Sequence, residues 1–289
     1  MAKGMREIKR QIKSVENTRQ ITKAMEMVAA SKLRKAQEKA QAARPYSDKL
    51  REVVASIASG TRGVYHPMLE KRPVKRIAYL VVTSDRGLAG GYNANMLKHV
   101  SNKIKENHTS TDQYELFIIG RKGRDYFRRR NLPITDAVTE LTDFPTYADI
   151  KSIACDAVKG YEEGRYDELY LCYNQFINAL TQVPNSTRLL PMESVEVAQE
   201  DKLKASYEYE PSAEGVLEVL LPKYAQTLIY NALLEGKASE QGARMTAMGS
   251  ATKNASQMIK DLRLVYNRAR QASITQEITE IVAGANAQG

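Results

Sequence analysis

From Met5 to about Ser59 the chain is built of helix-forming residues, with one proline, Pro45, and no glycine pair until "SGTRG". Stepping by three and four picks out Leu33, Ala36, Ala40, Ala43, Ser47, Leu50, Val54 and Ile57, preceded by Met5, Ile8, Ile12 and Val15. Such a seam is the mark of heptad packing against another helix. The far end repeats it with Met245, Met248, Thr252, Ala255, Ile259, Leu262, Tyr266 and Ala269. Ser212 is a plausible N-cap, with Glu214 in the first turn, and the run continues to about Ala283. Pro45 and Pro222 are expected to bend their helices locally, since each removes an N–H donor. At 1.5 Å per residue, segments of these lengths extend on the order of 80 and 110 Å, well beyond the width of a globular domain. A compact bundle with overlooked turns is the alternative, but no convincing break interrupts residues 224 to 283.

The economical arrangement is antiparallel, because the intervening segment returns the chain from the end of one helix to the start of the other. If residue 58 sits near residue 212, residue 4 lies near residue 266, and about 20 C-terminal residues have no partner within the chain. That overhang carries Ala272, Ile274, Ile278, Ile281, Val282 and Ala283 around more than one face. An isolated helix of this kind is marginal in water, so another protein is expected to surround it. The polar seam positions Arg19, Thr22 and Glu26 read either as a register device or as contacts with a partner.

Charge is concentrated in the first helix. Up to residue 51 there are fourteen Lys and Arg against five Asp and Glu, so the whole net charge of +9 lies there. Such a field attracts an acidic partner. The bases are spread around the helix without interleaved stacking aromatics, which argues against nucleic acid. No apolar run reaches the roughly 20 residues that span a bilayer, so direct membrane insertion is not expected. The opening "MAKGMREIKRQ" lacks a secretory signal's apolar stretch, so the chain is expected in the cytoplasm or on the cytoplasmic side of a membrane. Cys155 and Cys172, without a CxxC, read as reduced core residues, and His66, His99 and His108 form no catalytic or metal pattern.

Between about residues 73 and 205 the period changes. "RIAYLVV", "ELFIIG" and "DELYLCY" read as strands, alternating with helices over Asn93 to Glu106, Arg121 to Arg130 and Tyr147 to Glu163. This predicts a parallel, doubly wound, Rossmann-like sheet. The expected organisation is therefore a helix over 1–59, an inserted α/β domain over 73–205 and a second helix over 212–286. "VTSDRGLAGGYN" (82 to 93) occupies the first strand-to-helix loop, where ligands usually bind. Gly87, Gly90 and Gly91 fit neither GxGxxG nor a P-loop. "GRKGR" after the second strand could meet an NADP 2′-phosphate, which keeps an NADP-binding oxidoreductase domain with helical arms as the alternative. Asp85 and Arg86 then read as protein contacts or as pins for the turn.

Three stretches together resemble the gamma subunit of the bacterial F-type (rotary) ATP synthase. They are "NTRQITKAMEMVAASKLRKAQ" (17 to 37), the glycine loop, and residues 238 to 285, which end in Ile274, Thr275, Glu277, Glu280, Gly284 and Ala285. The resemblance implies an asymmetric antiparallel two-helix coiled coil inside a hexamer of alpha and beta subunits. The α/β domain would sit at its foot, beside the epsilon subunit and the c-ring. It implies a non-catalytic rotor without cofactor, peripheral on the cytoplasmic side of the cell membrane, coupling proton-driven rotation to ATP synthesis or hydrolysis. Contacts with beta subunits are implied for Lys23, Met25 and Glu26, for Asp85, Arg86 and Gly87, and for Arg244, Gln271 and Thr275. Ala89 stands where many relatives have Cys, and the paired-cysteine segment of chloroplast relatives is absent. Contacts with the membrane ring are sought in the charged segment Glu196 to Glu210.

Overall fold

A computed structural model of the chain describes residues 2–60, 66–192, 210 and 212–286. Most of the segment Glu196 to Glu210 lies outside these residues. The chain divides into two compact units, Met1–Ala29 with Met245–Gly289, and Ala30–Arg244.

The larger unit is organised by a five-stranded sheet. Its strands are β1 (Ile77–Val82), β2 (Tyr114–Ile119), β3 (Ile134–Val138), β4 (Glu168–Phe176) and β5 (Gln182–Leu190), in the order β3-β2-β1-β4-β5. β1 runs parallel to β2 and β4, and β2 parallel to β3. β1 is buried along its whole length, as a central parallel strand covered on both faces must be. Ile77, Tyr79 and Val81 pack on one face with α2 (Tyr92–Asn107) and α3 (Arg121–Arg128). Ala78, Leu80 and Val82 pack on the other with α4 (Lys151–Glu162) and with stretches of α1 (Ala2–Gly60) and α5 (Ala213–Asn286).

One expectation needs correction: the sheet is mixed. β5 pairs antiparallel with β4. Residues 177–181 alone join them, and so short a link can close a hairpin but cannot make the crossover that a parallel strand requires. β5 was not anticipated, because "QVPNSTRLL" is mostly polar and contains Pro184, which a sheet tolerates at an edge. β3, "ITDAV", is the other edge and is only half-buried.

Both terminal segments are helical throughout their described lengths, with Pro45 and Pro222 inside them. Ser212 caps α5 as expected, its hydroxyl accepting from the Gly215 amide at 3.1 Å. In the larger unit the seam residues Leu33, Ala36, Leu50, Val54 and Ile57 are buried.

In the smaller unit the two helices run antiparallel. The Thr252 hydroxyl donates to Thr22 Oγ1 at 2.8 Å, and Thr22 donates in turn to the Arg19 carbonyl at 3.1 Å. Arg263 pairs with Glu16 at 2.8 Å, and Gly249 leaves room for the Glu26 carboxyl group. Ala29, Met248, Ala255 and Ile259 are buried along this seam. These pairs shift the register from the expected one, because side-chain contacts rather than the helix ends align the two. Half-buried positions recur as far as Ser273, and from Ile274 to Asn286 every residue is exposed. Thr22 serves the register, whereas Arg19 is exposed and stands out of the seam. The Glu16–Arg263 pair is half-solvated, so Arg263→Ala should cost no more than about 1 kcal/mol in chemical unfolding.

Candidate functional site

Two neighbouring contributions build the site in the larger unit: the glycine loop after β1 and the α5 turn that ends at Arg244. The loop lies at the point where successive strands leave β1 in opposite directions, the usual ligand crevice of an open α/β sheet. Here that crevice is occupied by the protein itself. The Tyr92 hydroxyl, at the start of α2, donates to the Gly236 carbonyl of α5 at 2.9 Å. Burial pushes the Tyr92 pKa far up and keeps this donor protonated. Ala89, Tyr92 and Ala243 close into a small apolar cluster.

Asp85 acts as a pin. Its Oδ1 accepts from the amides of Arg121 and Glu140, both at 2.9 Å, and its Oδ2 from the Leu141 amide at 3.1 Å. Three N–H groups at the carboxyl ends of β2 and β3 are thereby satisfied by one side chain. Ser84 adds a bond from its hydroxyl to the Arg86 carbonyl at 2.6 Å, and Asn93 holds Ser84 through both its amide atoms. Asp85→Ala should cost about 2 kcal/mol, since charge-assisted bonds are lost and their donors are left to water. Chemical denaturation with an unchanged m-value would check this.

Arg86 is exposed at the loop's outer side, and Leu88 is also exposed, with a left-handed φ of 63°. The Gly87 carbonyl accepts from Arg244 Nη2 at 3.3 Å, and the same nitrogen lies 2.8 Å from Glu240 Oε1. Glu240 and Lys237 are buried and 3.7 Å apart. Nearby, Lys32 pairs with Asp143 at 2.7 Å. Burial works to raise the Asp143 pKa, yet the bond to Lys32 and the charges of Lys32, Lys237 and Arg86 carry it below the ordinary carboxylate value. The structure therefore brings Asp85, Arg86, Gly87 and Arg244 into one corner. Glu240 and Lys237 were missed, although their spacing from Arg244 puts all three on one helix face.

The glycines of "GRKGR" serve packing. Gly120 has a φ of 104°, and the Gly123 amide donates to Thr83 Oγ1 at 2.9 Å. Arg124 is engaged by Asp125 and Thr139. A cleft of about 410 Å³ opens elsewhere, against β4 and β5, lined by Leu171, Tyr173, Leu189, Tyr224 and Asn231, away from the glycine loop. Nothing at the loop favours the NADP reading.

The other predicted residues lie in the smaller unit. Lys23 is exposed and pairs with Glu26 at 3.3 Å, and Met25 is half-buried. Gln271 and Thr275 are exposed one turn apart, the Thr275 hydroxyl donating to the Gln271 carbonyl at 2.9 Å. Both cysteines are free. Cys172 is buried, with its thiol pKa pushed up to about 11 by burial, and Cys155 is half-buried. The histidines have local partners: His66 accepts from the Met68 amide, His99 meets Ser186 and His108 meets Tyr79. Among the described residues no His, Cys, Asp and Glu cluster could hold a metal ion, and no helix is long and apolar enough to cross a membrane.

Known proteins resemble this chain over most or all of its length. A family model described as ATP synthase matches residues 4–288. An ATP synthase gamma chain of Brevibacillus brevis is 63% identical over 288 residues, covering 100% of both chains. Among solved structures, a chain from the central stalk and c-ring of Tetrahymena thermophila mitochondrial ATP synthase matches with a TM-score of 0.61 and 26% identity, covering 80% of this chain and 99% of that one. A chain of the Euglena gracilis mitochondrial enzyme shares the fold with a TM-score of 0.71 and 16% identity, covering 100% of this chain and 95% of that one. A family match over nearly every residue, joined to end-to-end identity with a gamma chain, makes this chain a member of the ATP synthase gamma subunit family.

Proposed function

We propose that the paired stretches of α1 and α5 form the asymmetric antiparallel coiled coil of a rotary shaft. As a gamma subunit the chain is the non-catalytic central-stalk rotor, and ATP chemistry takes place on the beta subunits. The shaft turns inside a hexamer of alpha and beta subunits, the α/β domain meets epsilon and the c-ring, and the assembly rests peripherally on the cytoplasmic side of the cell membrane. The observation that carries the reading is the end of α5. From Ile274 the helix has outrun its partner, and Ile274, Ile278, Ile281 and Val282 are all exposed. Apolar groups around a helix end call for an enclosing apolar sleeve.

Coupling follows from asymmetry. Each orientation of the shaft meets three otherwise identical catalytic sites differently, and only such differential contacts can shift their conformational equilibria. Lys23, Met25 and Glu26 on α1, Arg86 on the loop, and Gln271 and Thr275 near the tip supply contacts with beta subunits. Asp85, Gly87 and Arg244 contribute through the loop they shape. The test is affinity purification of the tagged chain with ATP hydrolysis recorded. Co-purification of two larger subunits in equal amounts, with ATPase activity, supports the reading; a chain that arrives alone and monomeric refutes it.

Glu26 separates partner contact from register. Glu26→Leu adds apolar surface to the seam and should raise the melting temperature of the chain slightly. ATP-driven proton pumping by the assembled complex should fall if Glu26 meets a beta subunit. Unchanged pumping would make Glu26 a register residue only.

A further inference from the structure

We propose that Arg244, held by Glu240, is a positioning residue that sets the conformation of the glycine loop. The proposal rests on the reading of this loop as a contact with the beta subunits, and it specifies how the contact surface is shaped. The two ends of the loop are anchored independently of α5's ion pairs. Ser84 is tied to Asn93, Asp85 to three amides, and the Tyr92 amide to the Ala89 carbonyl at 3.1 Å. The centre, Gly87 and Leu88, has a single polar restraint among the described residues: the bond from Arg244 to the Gly87 carbonyl.

That restraint is built to be stiff. Glu240 is only 5% exposed, and it stands between Lys237 and Arg244, each of which approaches one of its carboxylate oxygens. Arg244 is thus pulled towards Glu240 in a poorly solvated corner, where an ion pair orients its partners strongly. The same Nη2 serves both Glu240 and Gly87, so fixing the guanidinium fixes the loop carbonyl. The consequence appears one residue later. Leu88 takes a left-handed φ of 63° and is 62% exposed. Leucine in that conformation is strained and persists only where its surroundings impose it. The clamp therefore presents Leu88 outward as an apolar knob for a beta subunit, with Arg86 beside it.

Arginine is required here on geometric grounds. The two N–H donors of its Nη2 are held in the fixed plane of the guanidinium and reach Glu240 and Gly87 together, whereas the rotating ammonium of a lysine keeps the charge without that fixed direction. Arg244→Lys should therefore keep most of the ion pair with Glu240 and lose the hold on Gly87.

The first readout is amide hydrogen exchange of the full-length chain. In Arg244→Gln the Tyr92 amide, whose bond to the Ala89 carbonyl opens when the loop centre moves, should exchange roughly ten times faster, the order of change that loss of one charge-assisted bond produces, while β1 amides keep their protection. Arg244→Lys should restore the melting temperature but leave loop exchange fast. A merely structural arginine would have both restored by lysine. Unchanged exchange at Tyr92 in both variants would overturn the proposal.

The second readout uses the assembled complex. Arg244→Lys and Leu88→Ala should each assemble normally but lower the protons pumped per ATP hydrolysed. If loop exchange rises in Arg244→Lys while coupling in both variants stays at the wild-type value, the clamp holds but the loop is not a beta contact, which overturns the underlying reading. If Leu88→Ala impairs coupling while exchange in the Arg244 variants is unchanged, the contact stands and the clamp fails.

Discussion

Gly120→Ala is expected to be among the most damaging single substitutions in the chain, costing more than about 4 kcal/mol. Two independent penalties add. Its φ of 104° lies where residues with a Cβ are strained, which alone costs on the order of 1–3 kcal/mol. The added Cβ would also sit 2.2 Å from the Thr83 carbonyl oxygen and 2.6 Å from its carbon. Those atoms are backbone at the end of β1, held in turn by the Thr83 amide on the Ile119 carbonyl at 2.7 Å, so no flexible side chain can yield. Relief requires prising apart the ends of two central strands. Thermal unfolding should show the loss, with little soluble chain reaching the complex. Gly284→Ala is the matched control: nothing lies within 4 Å of its added Cβ, and it should be neutral or gain up to about 1 kcal/mol of helix stability. A Gly120→Ala chain melting within a degree or two of the parent would mean that the strand ends are far less rigid than their hydrogen bonds indicate.

Deleting the residues after Gln271 should have the opposite profile, leaving the fold intact and impairing the motor. Ile274, Ile278, Ile281 and Val282 are between 47% and 72% exposed, so the chain itself gains little from them. Its melting temperature should stay close to that of the full chain, since the buried seam residues Met248, Ala255 and Ile259 remain. Burial of each aliphatic side chain by a partner is worth up to about 1.5–3 kcal/mol, so the same residues are well suited to bearing load in the complex. Assembly should survive on the remaining contacts, while proton-driven ATP synthesis falls several-fold. Unchanged synthesis by the truncated complex would remove the tip from the load path.

Local pattern is informative where spacing within one segment fixes that segment's own burial. The heptad steps through Leu33, Ala36, Leu50, Val54 and Ile57 correspond to burial, because the period of a helix converts spacing directly into a face. The apolar strands β1, β2 and β4 were legible for a related reason: an interior strand is apolar on both sides. "VTSDRGLAGGYN" could likewise be read as a turn without a phosphate fingerprint, since that fingerprint is itself a local spacing.

Edge strands were harder. β3 and β5 face water on part of their surface, so their composition approaches that of loops, and the antiparallel pairing of β5 followed from a connection that the sequence pattern did not reveal. The helix register escaped prediction too, because Thr22 and Thr252 align through one side-chain contact, whereas a repeating seam is compatible with several offsets.

By itself, then, the sequence determined the two long terminal helices, their apolar seams, the α/β character of the insertion and the absence of a phosphate fingerprint, all of them consequences of residue spacing within one segment. Only the tertiary structure decided that Asp85 pins the ends of β2 and β3, that Glu240 aims Arg244 at Gly87, and that Leu88 points outward. Arg244 and Gly87 are 157 positions apart. Whether such residues meet depends on how the sheet and α5 pack together, and no periodicity along the chain encodes that distance.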